Sequence, residues 1–404
     1  MSLTSINASV NDLAPQAPLR RRSIMRAALF LGASALLPAV YVAQSQGSTN
    51  LPKARSMRLP PASTTASAAD RAAWNIYRTR FVASEGRVVD TGNGGVSHSE
   101  GQGYAMLFAT WTNDRPTFER LWAWTHAHLS RPSDSLHAWR WDPRRTVHVE
   151  DLNSATDGDL MIAWALLRGA ERWGVSAWHD RALEIGRDIL AASTREVGER
   201  MYLLPAPYGF DHDDRLVLNP SHYVFPAMRA LAAARPDPRW AQLERDGLLL
   251  MQSACFGQYD LPADYVQVDR KSGEVSLARG WPEMFSWNAV RVPLHLAWAG
   301  ELEAPALQAA VRFWKVEQNQ SVPAWADLRS AGRAPYSANA GIVAVATLGA
   351  AAAGLLPAGT AMPELATAGD YYSGSLMMLS RMAMQEGVLA SRVTPGASAS
   401  VARV

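Results

Sequence analysis

Cysteine is nearly absent from this chain of 404 residues, in which Cys255 is the single example. One cysteine excludes an internal disulfide and any zinc site built on cysteine pairs. The apolar neighbours of Cys255 predict a buried, inert thiol. The nine histidines are not spaced as metal ligands either, since His126 and His128 lie two apart on a predicted helix and face different directions. The sequence therefore predicts no metal site built on cysteine or histidine.

Charge is also scarce in this sequence. Charged residues make up 19% of the chain, and the formal net charge is +2. No basic block interleaves with aromatic residues in the part predicted to fold, so we expect no nucleic-acid partner. Hydrophobic residues, in contrast, make up 48% of the chain, which is enough to bury a sizeable core.

A basic stretch at residues 20–22 precedes an apolar run at residues 27–43. A basic region, a short apolar run and small residues at the end of that run are typical of a secretory signal peptide. The paired arginines resemble those of the twin-arginine type of signal. A membrane-spanning helix needs about 20 apolar residues, and Pro38 interrupts this run. We therefore expect a signal peptide over residues 1–43 rather than a membrane anchor, a linker over 44–67, and a periplasmic or secreted mature protein.

The remainder of the chain reads as helical, because apolar residues recur at three- and four-residue spacing. Eleven such segments predict an all-α domain over residues 68–388, without an internal repeat and followed by a disordered tail over 389–404. Alternating segments at 145–149 and at 265–268 with 273–277 predict small β-hairpins on loops. The predicted helices cover residues 72–82, 104–112, 115–128, 159–173, 178–193, 223–234, 241–255, 289–299, 304–316, 338–353 and 372–385.

Two segments place carboxylates at the start of predicted helices. In the first, Glu100 precedes a Gly-Gln-Gly turn that allows close approach of backbone or ligand. The helix N-terminus favours its charge, whereas a ligand pressing on it would raise its pKa, as a general acid requires. In the second, Asp151, Asp157 and Asp159 lead into an apolar helix, and N-capping explains one acid but not three. Carboxylates gathered in this way predict acid–base chemistry or a metal site.

With their neighbours, the same two segments form recognisable motifs. The first is Ser-Glu-Gly-Gln-Gly-Tyr-Ala-Met at 99–106, and the second is Ala-Thr-Asp-Gly-Asp at 155–159, followed by residues 162–167 and closed by Trp173. They resemble the general-acid segment and the signature of glycoside hydrolase family 8. The likeness extends over residues 69–385 and is strongest to the periplasmic endo-β-1,4-glucanases that accompany bacterial cellulose synthase.

The resemblance implies an (α/α)6 barrel, with six inner helices ringed by six outer ones. It also implies hydrolysis of β-1,4-glucan (cellulose) with inversion of configuration, without metal or cofactor, and the cellulose synthase complex as a further partner. Glu100 would be the proton donor, and Asp157 would hydrogen-bond the sugar in the −1 subsite. For Asp159 we expect packing or support of its neighbours.

Aromatic residues on loops are candidates for sugar binding. Trp139 and Trp141 lie two apart, so on an extended segment both side chains point to one face, and we expect Trp139 to be the sugar-stacking platform. Tyr223 resembles the substrate-contacting tyrosine of the family, although His222 stands where the family proceeds directly from serine to tyrosine. We expect His222 itself to be a surface or packing residue.

The chain departs from the family at Asn288. Family 8 cellulases have an aspartate there that serves as general base, whereas Arg291 is retained and would orient Asp157 or the attacking water. An amide cannot accept a proton from water, because its nitrogen lone pair is delocalised and its oxygen is weakly basic. The sequence leaves four replacement bases open, namely Asp157, Glu283, Asp264 and Asp211.

Three functions are consistent with these observations. The first is an inverting endo-β-1,4-glucanase that trims cellulose during its secretion. The second is a β-glucan-binding protein whose hydrolysis is weak because Asn288 replaced the base. The third is a hydrolase of another β-1,4 polymer, chitosan or xylan.

Overall fold

Each of the eleven predicted helical segments forms an α-helix in the computed structural model, which describes residues 65–318 and 320–389. The predicted signal peptide, and nearly all of the predicted linker and tail, lie outside the described residues. The helices are α1 Ala68–Phe81, α2 Ser99–Thr112, α3 Arg115–Leu129, α4 Thr156–Trp173, α5 Ser176–Ala192, α6 Phe225–Ala234, α7 Pro238–Ser253, α8 Arg291–Trp298, α9 Pro305–Trp314, α10 Ala340–Ala352 and α11 Tyr371–Ala383.

Six of these helices form a closed inner ring in the order α2, α4, α6, α8, α10 and α11, with α11 returning to α2. Helices α2 and α10 are buried on nearly every side, which is the position that a helix apolar all round requires. Helices α1, α3, α5, α7 and α9 pack outside the ring, and the buried residues of α5 form a single stripe. The (α/α)6 barrel expected from the resemblance is confirmed.

The sixth outer position departs from the expected pattern. Within the described residues, the segment between α10 and α11 forms a 3-10 turn at Leu365–Thr367 instead of an α-helix, and this turn packs against α1 and α11. None of the helices in the described ranges has both the length and the apolar character needed to cross a membrane.

Short strands decorate the loops of the barrel. The hairpin predicted near residues 265–277 is present as β8 and β9, joined by a turn in which Gly273 has a φ of 70°, and β5 extends it to three strands. The other pairs are β1 with β2, β3 with β4, β6 with β7, and β10 with β11. The strands are β1 Ser97–His98, β2 Arg140–Trp141, β3 Thr194–Val197, β4 Arg200–Leu203, β5 Arg215–Leu218, β6 Cys255–Phe256, β7 Leu261–Pro262, β8 Val266–Asp269, β9 Val275–Leu277, β10 Met284–Phe285 and β11 Ala326–Asp327.

The predicted hairpin at residues 145–149 is wrong, because residues 145–148 form bends and residue 149 has no regular structure. Asp142 closes the turn: its Oδ1 accepts a hydrogen bond from the backbone N–H of Arg144 at 2.9 Å, and its carbonyl accepts one from Arg145 at 3.3 Å. An aspartate that bonds its own following backbone in this way favours a turn over an extended strand. The strand of this region is β2, immediately before Asp142, and it pairs with β1 at the start of α2.

Candidate active site

The N-terminal turns of α2 and α4 lie against each other, and glycines permit this approach. A Cβ at Gly158 would lie 2.4 Å from Ser99 Oγ and 2.8 Å from the backbone nitrogen of Glu100. A Cβ at Gly103 would lie 2.7 Å from the Cβ of Met161. No side chain fits at either position without separating the helices. The glycines of both motifs therefore bring the start of α2, with its glutamate, next to the start of α4, with its aspartate.

Arg291, in the first turn of α8, joins the two carboxylates. Its Nη1 donates to Asp157 Oδ2 at 2.7 Å and to a carboxylate oxygen of Glu100, and Tyr104 Oη lies 3.0 Å from the same nitrogen. Its Nη2 donates to Asn288 Oδ1 at 3.0 Å. The guanidinium is 3% exposed, whereas the Glu100 side chain is 20% exposed. One buried cation thus holds four side chains in place, and Glu100 is the carboxylate of the pair that still reaches solvent.

The two carboxylates have opposite pKa shifts. Burial raises the pKa of Glu100 to about 8 against the attraction of Arg291, and the charge of Asp157 and a hydrogen bond with it add to the rise. Burial opposes ionisation of Asp157 as well, but His222, Arg291 and the hydrogen bond from Glu100 hold the pKa of Asp157 well below its usual range. Near neutral pH, Glu100 therefore carries a proton while Asp157 is charged. Neighbouring acids whose pKa values are pushed apart are typical of acid–base catalysis.

Asp264, between β7 and β8, lies beside Asn288. Its Oδ1 accepts hydrogen bonds from the backbone N–H groups of Ser286 and Asn288, both at 3.1 Å, and of Ala289 at 2.7 Å. Its Oδ2 accepts one from Ser286 Oγ. Burial nevertheless raises the pKa of Asp264 above the usual aspartate value. A carboxylate of raised basicity thus stands next to the position where the sequence has an amide.

The other two carboxylates considered as replacement bases are engaged elsewhere. Glu283 forms a bidentate ion pair with Arg329. Asp211 pairs with Arg195 at 2.6 Å and with Arg270. A guanidinium partner stabilises the charge of a carboxylate and so opposes its uptake of a proton, whereas the four hydrogen-bond donors to Asp264 are neutral groups.

Tyr223 is not brought to this cluster, so its predicted contact with substrate is wrong. The side chain is fully buried, and its hydroxyl accepts a hydrogen bond from the backbone N–H of Leu203 at 2.8 Å. Its ring packs so closely on α7 that a Cβ at Gly247 would lie 2.5 Å from it. The preceding residue occupies the site instead: His222 Nε2 lies 3.5 Å from Asp157 Oδ2. His222 is therefore not a surface residue: it is buried, as the packing alternative expected, and its ring lies beside a carboxylate of the site.

The two tryptophans of the 137–142 loop have different surroundings. Trp139 is partly exposed, its Nε1 donates to Asp151 Oδ2 at 2.9 Å, and its ring stacks on His98 with 5.9 Å between centroids. Trp141 packs edge-on against Trp124 at 5.7 Å. Trp139 thus lies next to the start of α2, where its carbonyl accepts the backbone N–H of Ser99 at 3.1 Å.

Asp159 supports the loop that carries Trp139. It is fully buried, and its Oδ1 lies 3.0 Å from the backbone nitrogen of His137 and 2.8 Å from Nδ1 of the same residue. These contacts tie the loop to the first turn of α4.

Across residues 65–318 and 320–389, no group of histidine, cysteine, aspartate and glutamate side chains is arranged to hold a metal ion.

Sequence reasoning missed two tyrosines of the site. Tyr104 follows the Gly-Gln-Gly turn and bonds Arg291. Tyr372 donates to the carbonyl of Trp287, the residue before Asn288. Burial raises the pKa of Tyr372 above its usual value, and the charges of Glu100 and Asp264 add to the rise. Tyr104 lies inside the motif at 99–106, so the sequence could have indicated its place in the site. Tyr372 lies near the C-terminal end of the barrel, and no motif around it indicated a role.

Comparisons with known proteins agree with this architecture. Residues 53–386 match the profile described as "Glycosyl hydrolases family 8". A "Probable endoglucanase" of Novacetimonas hansenii is 41% identical over 78% of this chain and 90% of its own length. An "Endoglucanase" of Cellulomonas uda is 38% identical over 68% of this chain and 76% of its own length.

A solved structure gives the same result. The endo-β-1,4-glucanase CMCax of Acetobacter xylinum superposes with a TM-score of 0.75 at 41% identity, covering 79% of this chain and 98% of the other. The agreement in sequence and in fold extends over nearly all of the barrel. This chain belongs to glycosyl hydrolases family 8.

Proposed function

We propose that this protein is an inverting endo-β-1,4-glucanase in which Glu100 donates the proton to the glycosidic oxygen. The observation that carries this proposal is the pair of Glu100 and Asp157, one protonated and one charged, held by the same guanidinium of Arg291. Cleavage of an acetal needs protonation of the leaving oxygen as positive charge develops at C1. A carboxyl group with its pKa raised to about 8 still carries that proton at neutral pH.

The charged partner has a separate role in the proposal. Asp157 stays ionised beside Arg291, so it accepts hydrogen bonds from hydroxyls of the sugar in the −1 subsite. Trp139 supplies a stacking surface at the mouth, and Asn288 and Arg291 complete the polar lining. Asn288 also fixes Arg291 through its amide oxygen.

Asp264 is the general base of this proposal. An inverting enzyme needs a second carboxylate that takes a proton from water on the opposite face of the ring, about 6.5–9.5 Å from the acid. Asp264 lies beside Asn288 and is more basic than an ordinary aspartate because it is buried. In the step, water oxygen bonds to C1, its proton passes to Asp264, the C1–O bond breaks, and the leaving oxygen takes the proton of Glu100.

Reducing sugar released from carboxymethylcellulose tests the activity, with the wild type and Glu100→Gln measured together. We expect clear release by the wild type and a loss on the order of 10²–10⁴ in the variant, with glucan binding retained. Proton NMR of the first products from cello-oligosaccharides should show the α-anomer. An inactive wild type that still binds the polymer would favour the β-glucan-binding alternative, and preferential release from chitosan or xylan would favour another polymer.

A matched pair of variants tests the base. Asp264→Asn keeps the size and most hydrogen-bond geometry of the side chain but cannot take a proton, so turnover should fall at least 10²-fold. Asp211→Asn changes a carboxylate that is bound by arginines on the surface and should leave turnover unchanged. Equal activity of Asp264→Asn and wild type would exclude Asp264 as the base.

The setting of this activity is part of the proposal. Trimming of cellulose during its secretion, in the periplasm and beside the cellulose synthase complex, is supported by the signal-like residues 1–43 and by the resemblance stated above. Export is the part of this setting that can be tested on the chain alone.

A further inference from the structure

His222 occupies the end of a 3-10 turn, Pro220–His222, that packs against α4 and α8. The turn begins with Asn219, whose side chain accepts the backbone N–H of Ser221 at 3.0 Å. This short turn directs His222 towards the cluster and the next residue, Tyr223, into the core. The His222 side chain is 10% exposed, and its Nε2 lies 3.5 Å from Asp157 Oδ2.

The imidazole faces polar groups from each element around it. Asp157 comes from α4, Arg291 and His295 come from α8, and the carbonyl of Pro205 comes from the loop after β4. A neutral imidazole has one N–H and one lone pair, so it cannot donate to both the Asp157 carboxylate and the Pro205 carbonyl.

The competing acceptor is a neutral carbonyl. The Pro205 carbonyl oxygen accepts the backbone N–H of Thr156 at 2.9 Å, whereas the Thr156 hydroxyl lies nearer the Leu204 carbonyl, at 2.7 Å, than the Pro205 carbonyl, at 3.1 Å. A carbonyl oxygen has two lone pairs. The Asp157 carboxylate has about four sites for donors, and it accepts one N–H from Gly158, one from Arg291 and the proton of Glu100, so one site remains. A hydrogen bond to a charged carboxylate is stronger than one to a neutral carbonyl, so Asp157, 3.5 Å from Nε2, is the preferred acceptor of the imidazole N–H.

We propose that His222 is a positioning residue, whose neutral imidazole donates Nε2–H to Asp157 and keeps that carboxylate in register with Arg291 and the −1 sugar. The proposal rests on the proposed function, in which Asp157 binds the sugar and Glu100 donates the proton. Burial lowers the pKa of His222 to about 4 in spite of the Asp157 charge, and Arg291 acts in the same direction. The imidazole is thus an uncharged hydrogen-bond donor that orients the Asp157 carboxylate. Because it carries no charge, it does not compete with Arg291 for the ion pair with Asp157.

Two substitutions separate a donor from a mere space-filling group. His222→Gln keeps a neutral N–H donor, whereas His222→Leu keeps bulk and removes the donor. Loss of a hydrogen bond to a charged group should lower kcat about 10- to 100-fold in His222→Leu, with KM changed much less. His222→Gln should retain kcat within about threefold. His179→Leu, on the exposed face of α5, is the control histidine and should behave as wild type.

A fixed charge gives a second readout. His222→Lys places a cation near Asp157, and through it near Glu100, so the alkaline limb of kcat/KM should move to lower pH, because a nearby cation favours the ionised form of an acid. His222→Gln should leave that limb in place. Circular dichroism and thermal melting establish that each variant is folded.

The outcomes are distinguishable from failure of the proposed function. A wild type without hydrolysis, or a fully active Glu100→Gln, would remove the function itself. A wild type that hydrolyses β-glucan while folded His222→Leu is equally active would overturn the proposal for His222 alone. Equal losses in folded His222→Gln and His222→Leu would also overturn it, since the donor would then make no difference.

Discussion

Glu100 and Asp157 contact the same Arg291 Nη1, yet one is protonated and the other is ionised. The difference comes from their other neighbours. Asp157 is almost fully buried, but it accepts the N–H of Gly158 and lies beside the His222 imidazole, so hydrogen-bond donors stabilise its charge. Glu100 has the Asp157 charge beside it and burial around it, so its proton is retained. The same side-chain chemistry therefore gives a donor and an acceptor at neighbouring positions.

The first residue-scale prediction concerns pH. Glu100 must be protonated to act, so kcat/KM should fall about tenfold per unit as the pH rises above about 8. Asp264 must be ionised, and burial raises its pKa, so activity should also fall as the pH decreases, starting above the usual aspartate range. A profile of kcat/KM on a soluble β-glucan measures both limbs. If the alkaline limb stayed flat to pH 10, Glu100 would not be the acid with the raised pKa.

The second residue-scale prediction concerns Asn288. Its amide oxygen accepts Arg291 Nη2 at 3.0 Å, and its backbone N–H donates to Asp264 at 3.1 Å. Asn288→Asp would add a charge between Asp264 and the Asp157–Arg291 pair, and like charges would crowd the water site. Activity on barley β-glucan should be unchanged or reduced relative to wild type. An inert wild type activated by this substitution would show that no other base exists and that Asn288 had replaced it.

At the scale of elements, the glycines decide how closely α2 and α4 pack. Gly158→Ala would place a Cβ 2.4 Å from Ser99 Oγ and 2.8 Å from the Glu100 nitrogen, so the first turns must move apart. We expect a loss of about 1–3 kcal/mol in the free energy of unfolding and a fall in kcat, because Glu100 and Asp157 separate. Gly359→Ala is the control, since its Cβ would meet nothing within 4 Å. Urea denaturation and kcat measure the two effects, and a Gly158→Ala protein as stable as the control would contradict this account.

A second element-scale prediction concerns the end of the barrel. Glu386 lies in the π-helical turn Met384–Leu389, and its carboxylate accepts Arg168 Nη1 and Nη2 at 3.0 and 2.7 Å and Trp298 Nε1 at 3.0 Å. Glu386→Ala would leave the largely buried guanidinium of Arg168 without its partner, and breaking such a pair costs about 3–5 kcal/mol. Thermal melting should show a clearly lowered Tm. Glu119→Ala, which breaks an exposed i,i+4 pair with Arg115, should change it little.

Element positions were predictable because their causes are local. The periodic segments became helices, and the acid-bearing motifs placed Glu100 and Asp157 at helix starts. The hairpin at 145–149 failed because one carboxylate, Asp142, closed a turn that the alternation of residues does not reveal. Asp264 and His222 depended on tertiary structure, since a loop far along the chain and a 3-10 turn bring them to the site. Whether His222 or Tyr223 faces the cleft depends on the rotation of that turn, which adjacent residues in a sequence do not specify.

At the scale of the whole molecule, the ring of helices explains how distant residues form one site. The inner helices α2, α4 and α8 contribute Glu100, Asp157 and Arg291, and α11 contributes Tyr372. Each comes from the first turn of its helix, so the site lies at one end of the ring. Loops at that end add Asp264, whereas the Glu386 ion pair holds residues 384–389 against the inner helices α4 and α8. The catalytic side chains and the Glu386 ion pair thus lie on different segments of the same inner helices.

The last prediction concerns the route of the whole molecule out of the cytoplasm. Residues 20–22 are three arginines ahead of the apolar run at 27–43, and the twin-arginine route depends on the paired arginines themselves rather than on their charge. Replacing these three arginines with lysine keeps the charge and should leave the precursor in the cytoplasm, whereas Arg26→Lys should not. Fractionation of cells that express each full-length variant, followed by immunoblotting, measures the distribution. If the lysine variant still reached the periplasm in cells that lack the twin-arginine translocase, the signal would be of the general secretory type.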